Sequence, residues 1–169
     1  MRRGDVGRSR YHAPMPGRGG REGSDSRCCQ PQTSPLQWHD HVDHAHASVV
    51  GLREWLQALA PFARAHEQGE IDDLLDAAAR GELQDTGDEK TPIKPIVTKP
   101  DVFELRRTAL AKKLRLYHGE PPSDASALVA LHRHIKVDSK SQKDEIKHAV
   151  ARYKDWTGEE PITNPVAQP

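Results

Sequence analysis

His132 and His134, with Arg133 between them and Lys136 just beyond, end an otherwise apolar run, LVALHRHIK (128–136). Alternation along an extended chain puts His132, His134 and Lys136 on one face and leaves Val129, Leu131 and Ile135 for packing. Two earlier stretches alternate in the same way. DVFELRR (101–107) sets Phe103 and Leu105 against Glu104 and Arg106, and KLRLYHG (113–119) sets Leu114 and Leu116 against Lys113, Arg115 and Tyr117. If the three strands pair, Arg106, Arg115, His132, His134 and Lys136 line one basic surface. Such a set suits cleavage of a phosphodiester by a neighbouring 2′-hydroxyl. Histidine titrates near neutral pH and serves as base or acid. Arg and Lys supply charge where a phosphorane forms, and Arg grips two oxygens at once. Which histidine is the base is open, and the chemistry calls for no metal or other cofactor. Arg107, Lys112, Lys113, Tyr117, His118 and Arg133 are the expected contacts to RNA.

These strands need a scaffold, and only part of the chain can supply one. Hydrophobic residues make up 35% of the 169 and aromatics 5%, with 13 prolines and 12 glycines. The formal net charge of +0 conceals segregation. Residues 1–34 carry seven Arg/Lys and three Asp/Glu; 35–89 carry three and twelve; 90–154 carry fifteen and seven; 155–169 carry none and three. A basic half attracts polyanions, and the acidic half can face a basic partner or partly cover the basic face. Residues 1–34 are Gly-, Arg-, Ser- and Pro-rich and are expected to be a disordered basic tail. Their adjacent Cys28 and Cys29 are read as two reduced thiols, from which alone neither a disulfide framework nor a cysteine-based zinc site can be built. No apolar run follows the N-terminal arginines, and no segment is long enough to span a bilayer, so a cytoplasmic location is expected.

Leu52, Trp55, Leu56 and Leu59 make one helical stripe. Ile71, Leu74, Leu75 and Ala78 make another beyond Pro61, with Gly81 as its stop. The pair reads as a helical hairpin, acidic on its outer side. Ile96–Thr98 (96–98), between prolines, is an edge strand at best. Ser141 and Asp144 begin a last helix with Ile146, Ala149, Val150 and Tyr153 on one face and Gly158 at its end. The expected domain, 35–158, is α+β: an N-terminal helical hairpin, a three- to four-stranded antiparallel sheet with helices on one face, and a C-terminal helix, followed by a disordered tail at 159–169. The run WHDHVDHAH (38–46) holds four histidines and two aspartates between Trp38 and His46, but it matches no zinc spacing and is read as a loop or short first strand.

The order V-F-E-L-R (102–106), K-L-R-L-Y (113–117), L-V-A-L-H-R-H-I-K (128–136), D-E-I-K-H-A-V-A-R-Y-K-D-W (144–156) resembles the HigB-like, phage-derived branch of the RelE/ParE toxin superfamily. The upstream V-x-x-L-x-x-W-L-x-x-L and I-x-x-L-L-x-x-A-x-x-G resemble that family's hairpin, so the likeness covers roughly residues 47–156. It implies a RelE-like fold and the toxin of a type II toxin–antitoxin system. Such a toxin cleaves messenger RNA on the ribosome and is silenced by a cognate antitoxin. By the resemblance Arg106, His132 and Lys136 match the family's site positions and Arg115 lies close to that of its second-strand arginine, two residues before Tyr117 where relatives more often have three; Asp155–Trp156 sit where relatives often end in Asp-Tyr. Two alternatives stay open: a ParE-like gyrase poison without nuclease activity, and an inactive, toxin-derived binding module.

Overall fold

The computed structural model describes residues 22–159. Its regular elements are β1 (Gln37–Asp40), α1 (Ala47–Ala58), α2 (Pro61–Arg80), β2 (Ile93–Pro95), β3 (Val102–Ala109), β4 (Lys112–Gly119), β5 (Ala127–Lys136) and α3 (Ser139–Thr157). They form a mixed α+β fold on a five-stranded sheet in the order β1-β5-β4-β3-β2.

Local chemistry sets the boundaries. Pro61 occupies the first turn of α2, where its missing N–H costs nothing. Gly81 ends that helix in the left-handed region at φ 72°, and a Cβ there would lie 1.8 Å from the Gln30 carbonyl oxygen. Asp138, rather than Ser141, caps α3: its carboxylate accepts from the Ser141 N–H at 2.7 Å. The hairpin joining β3 to β4 turns on Leu110 and Ala111, both at positive φ (46° and 63°) where Asn-Gly is the favoured pair.

Three expectations are corrected. The sheet has five strands rather than three or four, and it is not purely antiparallel: β1 runs parallel to β5, Gln37 opposite Ala127 and Asp40 opposite Ala130. The chain leaves β1 through two helices and three strands before returning beside it, and that route leaves the two strands in the same direction. The edge strand lies at Ile93–Pro95, not 96–98, because buried Ile93 pairs with Leu105. The helices do not share a face. Leu52 and Ile71 pack with Phe103, Leu105, Leu114 and Leu116 on one side, while Ala149 and Tyr153 of α3 pack with Tyr117, Val129 and Leu131 on the other.

The segment 22–34 also departs from a disordered tail; the expected tails at 1–21 and 160–169 lie outside the described residues. Ser26 caps a 3-10 turn at Arg27–Cys29. The Arg27 guanidinium donates to the carbonyls of Pro121, Asp124 and Ala127 at 2.7–3.2 Å. Cys28 is buried and Cys29 half-buried. Contacts some 94 residues away in sequence override a composition that is polar locally. No helix among the described residues is long and apolar enough to cross a membrane.

Candidate nucleic-acid interface

Register assembles the site in three rows across β3, β4 and β5. Arg106 faces Arg115, which faces His134; Thr108, Lys113 and Lys136 form the next row; Glu104, Tyr117 and His132 form the row on the other side. Cross-strand partners share a face, so the strands bring together Arg106, Arg115, His132, His134, Lys136, Lys113 and Tyr117. Beyond Tyr117 the β4–β5 register slips: Ala130 faces His118 while His132 faces Tyr117. The unpaired Leu131 therefore joins the apolar cluster under α3.

The other expected RNA contacts lie elsewhere. Arg107 points to the opposite face and pairs with Glu67 at 2.9 Å and Glu70 at 3.0 Å, both on α2. His118 is also on that face, buried against Phe103 and Trp38. Arg133, facing Leu116, and Lys112, facing Ala109, belong to it too, and Lys112 is exposed at the hairpin end.

Glu104 organises the middle of the site. Its Oε1 lies 3.1 Å from the Nε atoms of both Arg106 and Arg115, and its Oε2 accepts from Gln142 at 2.6 Å. The two arginine contacts are ion pairs without hydrogen-bond alignment. The Nε groups, with Arg106 Nη1, are buried donors lacking an acceptor among the described residues. Buried guanidinium donors left open beside an ion pair mark a site that an external acceptor would complete. Burial lowers the Arg115 pKa against the opposing pull of Glu104, and burial followed by Arg115 lowers that of Lys136.

A cleft of about 1090 Å³ opens over this end of the sheet. Arg106, Lys113, Arg115 and Lys136 floor it, and the loop 85–91 walls it. Seven Lys/Arg and four Asp/Glu line it in all, so part of the acidic half does stand against the basic face.

The histidines are not in the open cleft. His132 is 1% exposed and His134 3%, and this corrects the expectation of a solvent-facing imidazole surface. The physical reason is α3, which crosses a face that alternation alone leaves open. Glu145 on α3 hydrogen-bonds His132 Nε2 and accepts from Ser48 at 2.6 Å. The rings of His46 and His148 lie within 4.8 Å of that of His132. Burial, against the pull of Glu145, lowers the His132 pKa to about 4, and burial also lowers that of His134. His134 Nε2 meets the Tyr117 hydroxyl at 3.1 Å. Burial, then Glu104, pushes that phenol well above its ordinary pKa.

Sequence reasoning missed Glu145, His46, His148 and Gln142, although Glu145 sits in the quoted D-E-I-K-H motif. It also missed Cys28 and Glu120 around His118. There Cys28 Sγ lies 3.4 Å from His118 Nε2, and His118 Nε2 lies 3.0 Å from Glu120 Oε1. Burial disfavours a charged His118, but Cys28 and Glu120 outweigh it and raise its pKa to about 10. Among the described residues two groups could thus hold a cation: Cys28, His118 and Glu120, or His46, His132 and Glu145. In the second, His132 and Glu145 already satisfy one another. No protein-family model matches the sequence, and no curated protein matches it.

Proposed function

We propose that this protein is a HigB-like toxin of the RelE/ParE kind, a metal-independent endoribonuclease acting on ribosome-bound messenger RNA and held silent by a cognate antitoxin. The observation that carries the reading is the group Arg106, Arg115, Lys113 and Lys136 at the floor of an open basic cleft, with the buried His134 next to Arg115 in the same row. The helices on either side of Pro61 and the helix after β5 are the layout that the resemblance implies.

In this reading the two arginines hold the scissile phosphate and carry the charge of the phosphorane. His134, kept neutral by burial, accepts the 2′-hydroxyl proton as that oxygen bonds to phosphorus. Lys136, its pKa lowered, gives a proton to the departing 5′ oxygen. His132 is bound to Glu145 and serves to position its neighbours. Because His134 is 3% exposed, RNA reaches it only when the first turn of α3, with Gln142, moves aside.

The test is inducible expression alone and beside the neighbouring small open reading frame, with messenger-RNA ends mapped. Growth arrest with new 5′ ends, both lost in Arg106→Ala and His134→Ala and relieved by the neighbour, is the expected result. The burial of both histidines favours a second reading, in which the basic face binds its target without cutting it, as a gyrase poison or a binding module. Growth arrest that persists in His134→Ala with no new RNA ends would select it.

A further inference from the structure

We infer that Cys28, His118 and Glu120 form a zinc-binding site that staples the segment 23–30 to the sheet. The three ligands come from two distant parts of the chain. Cys28 lies in the 3-10 turn Arg27–Cys29, His118 near the end of β4, and Glu120 two residues further on, where the strand's alternation returns its side chain to the same face. All three are buried, with Cys28 at 0%, His118 at 1% and Glu120 at 5% exposure.

Their ligand atoms converge. Sγ to Nε2 is 3.4 Å, Nε2 to Oε1 is 3.0 Å and Sγ to Oε1 is 3.8 Å. The edges of a tetrahedral zinc site with thiolate, imidazole and carboxylate ligands are about 3.3–3.6 Å. The circle through the three atoms has a radius of about 2.0 Å, close to a zinc–nitrogen or zinc–oxygen bond. One ion thus reaches all three with shifts of a few tenths of an ångström, and the fourth position is left to a water.

Hydrogen bonding alone accounts poorly for this arrangement. His118 Nε2 faces both Cys28 Sγ and Glu120 Oε1, yet a ring nitrogen has only one proton or one lone pair to offer. The other nitrogen, Nδ1, is buried with no hydrogen-bond partner among the described residues. Ser26 Oγ donates to the same Oε1, and the Arg27 N–H donates to Oε2 at 3.0 Å, which fixes the carboxylate. A buried thiol and a buried carboxylate set against one imidazole nitrogen favour a divalent cation, and the sulfur–nitrogen combination selects zinc over calcium or magnesium. Cys29 takes no part: its Sγ contacts the Gly23 carbonyl at 3.5 Å.

The experiment uses the full chain, stripped of metal under reducing conditions and titrated with Co²⁺, then Zn²⁺. One equivalent of Co²⁺ should give the intense visible bands of a tetrahedral site with a thiolate-to-cobalt charge-transfer band, and Zn²⁺ should displace it. Cys28→Ser should abolish the charge-transfer band and weaken zinc binding at least tenfold, while Cys29→Ser keeps both. The thiolate band separates this site from any cobalt held by the chain's other histidines. Absence of the band in the wild-type protein overturns the inference whether or not Cys28→Ser folds. So does a band that follows Cys29 instead. RNA cleavage is not part of the readout, so the site stands or falls apart from the proposed nuclease.

Discussion

Along β3, β4 and β5 one face of the sheet is divided between two environments. From Tyr117 to Val129 it lies beneath α3, where Tyr117, Val129 and Leu131 pack with Ala149 and Tyr153 and His132 is tied to Glu145. From Arg106 to Lys136 the same face floors the cleft, whose lining residues lie outside α3. The alternation is the same in both halves. What differs is the cover, and with it the meaning of a polar residue. Under α3 a histidine is held neutral and tied to an internal carboxylate; a few ångströms away, arginines keep donors open. A strand pattern tells which way a side chain points, and the neighbouring helix decides whether water or an anion can meet it.

The contrast can be broken or sharpened by substitution, beginning with the largest effect. Arg115→Ala removes the more deeply buried partner of Glu104, and we expect a loss of about 3 kcal/mol in urea unfolding. Arg106→Ala should cost less, about 1 kcal/mol, since its side chain is 15% exposed and Arg115 stays in place. Equal losses would mean that Glu104 leans on the two arginines alike.

On the covered side, a Cβ at Gly119 would lie 2.2 Å from the buried Tyr153 ring. Gly119→Ala should therefore lower stability by about 2 kcal/mol through overpacking. An unchanged midpoint would show that α3 sits loosely.

The same cover predicts acid sensitivity. Unfolded, His132 takes up a proton near its ordinary pKa of 6.5; folded, it does so only near 4. Acid therefore favours the unfolded chain. The stability this histidine contributes is complete above pH 6.5 and is lost as pH falls toward 4. Between pH 7 and pH 5 His132 by itself should cost about 2 kcal/mol, so His132→Gln should lose about that much less than the wild-type protein in urea unfolding. Equal losses in the two proteins would show the imidazole to be in reach of water.

At the bare end, the hairpin tip carries Leu110 and Ala111 in a conformation costly for residues with a Cβ. Replacing the pair by Asn-Gly should raise stability by about 1 kcal/mol, read as a higher melting temperature. The smallest effects belong to Lys113→Ala and Lys136→Ala. Each should flatten the salt dependence of RNA affinity by about one in slope and leave the melting temperature unchanged. A slope that does not respond would remove these lysines from the interface.

Much of the scaffold was legible in the sequence, because the apolar stripe of Ile71, Leu74 and Leu75, the alternation around Phe103 and Leu105, and the stop at Gly81 are local signals. That Arg106, Arg115, His134, Lys113 and Lys136 share a face followed from alternation plus neighbouring strands, whereas the register that sets them in rows did not. The sealing of His132 did not, since nothing in 128–136 encodes which helix crosses it. Order in 22–34 was invisible for a related reason: the partners of the Arg27 and Cys28 side chains run from His118 to Ala127, and a loop-like composition says nothing of contacts so far downstream.

The parallel junction of β1 with β5 has a consequence for synthesis. Gln37 emerges long before Ala127, its neighbour in the sheet. While the chain is being made, the preceding turns can dock on α2, where Gln32 and Leu36 donate to the Arg80 and Ala79 carbonyls, but β1 has no strand to pair with, whereas β3 and β4 can zip as a local hairpin. The sheet's outer margin, with the Arg27 clasp, must then close last, once the final strand has left the exit tunnel.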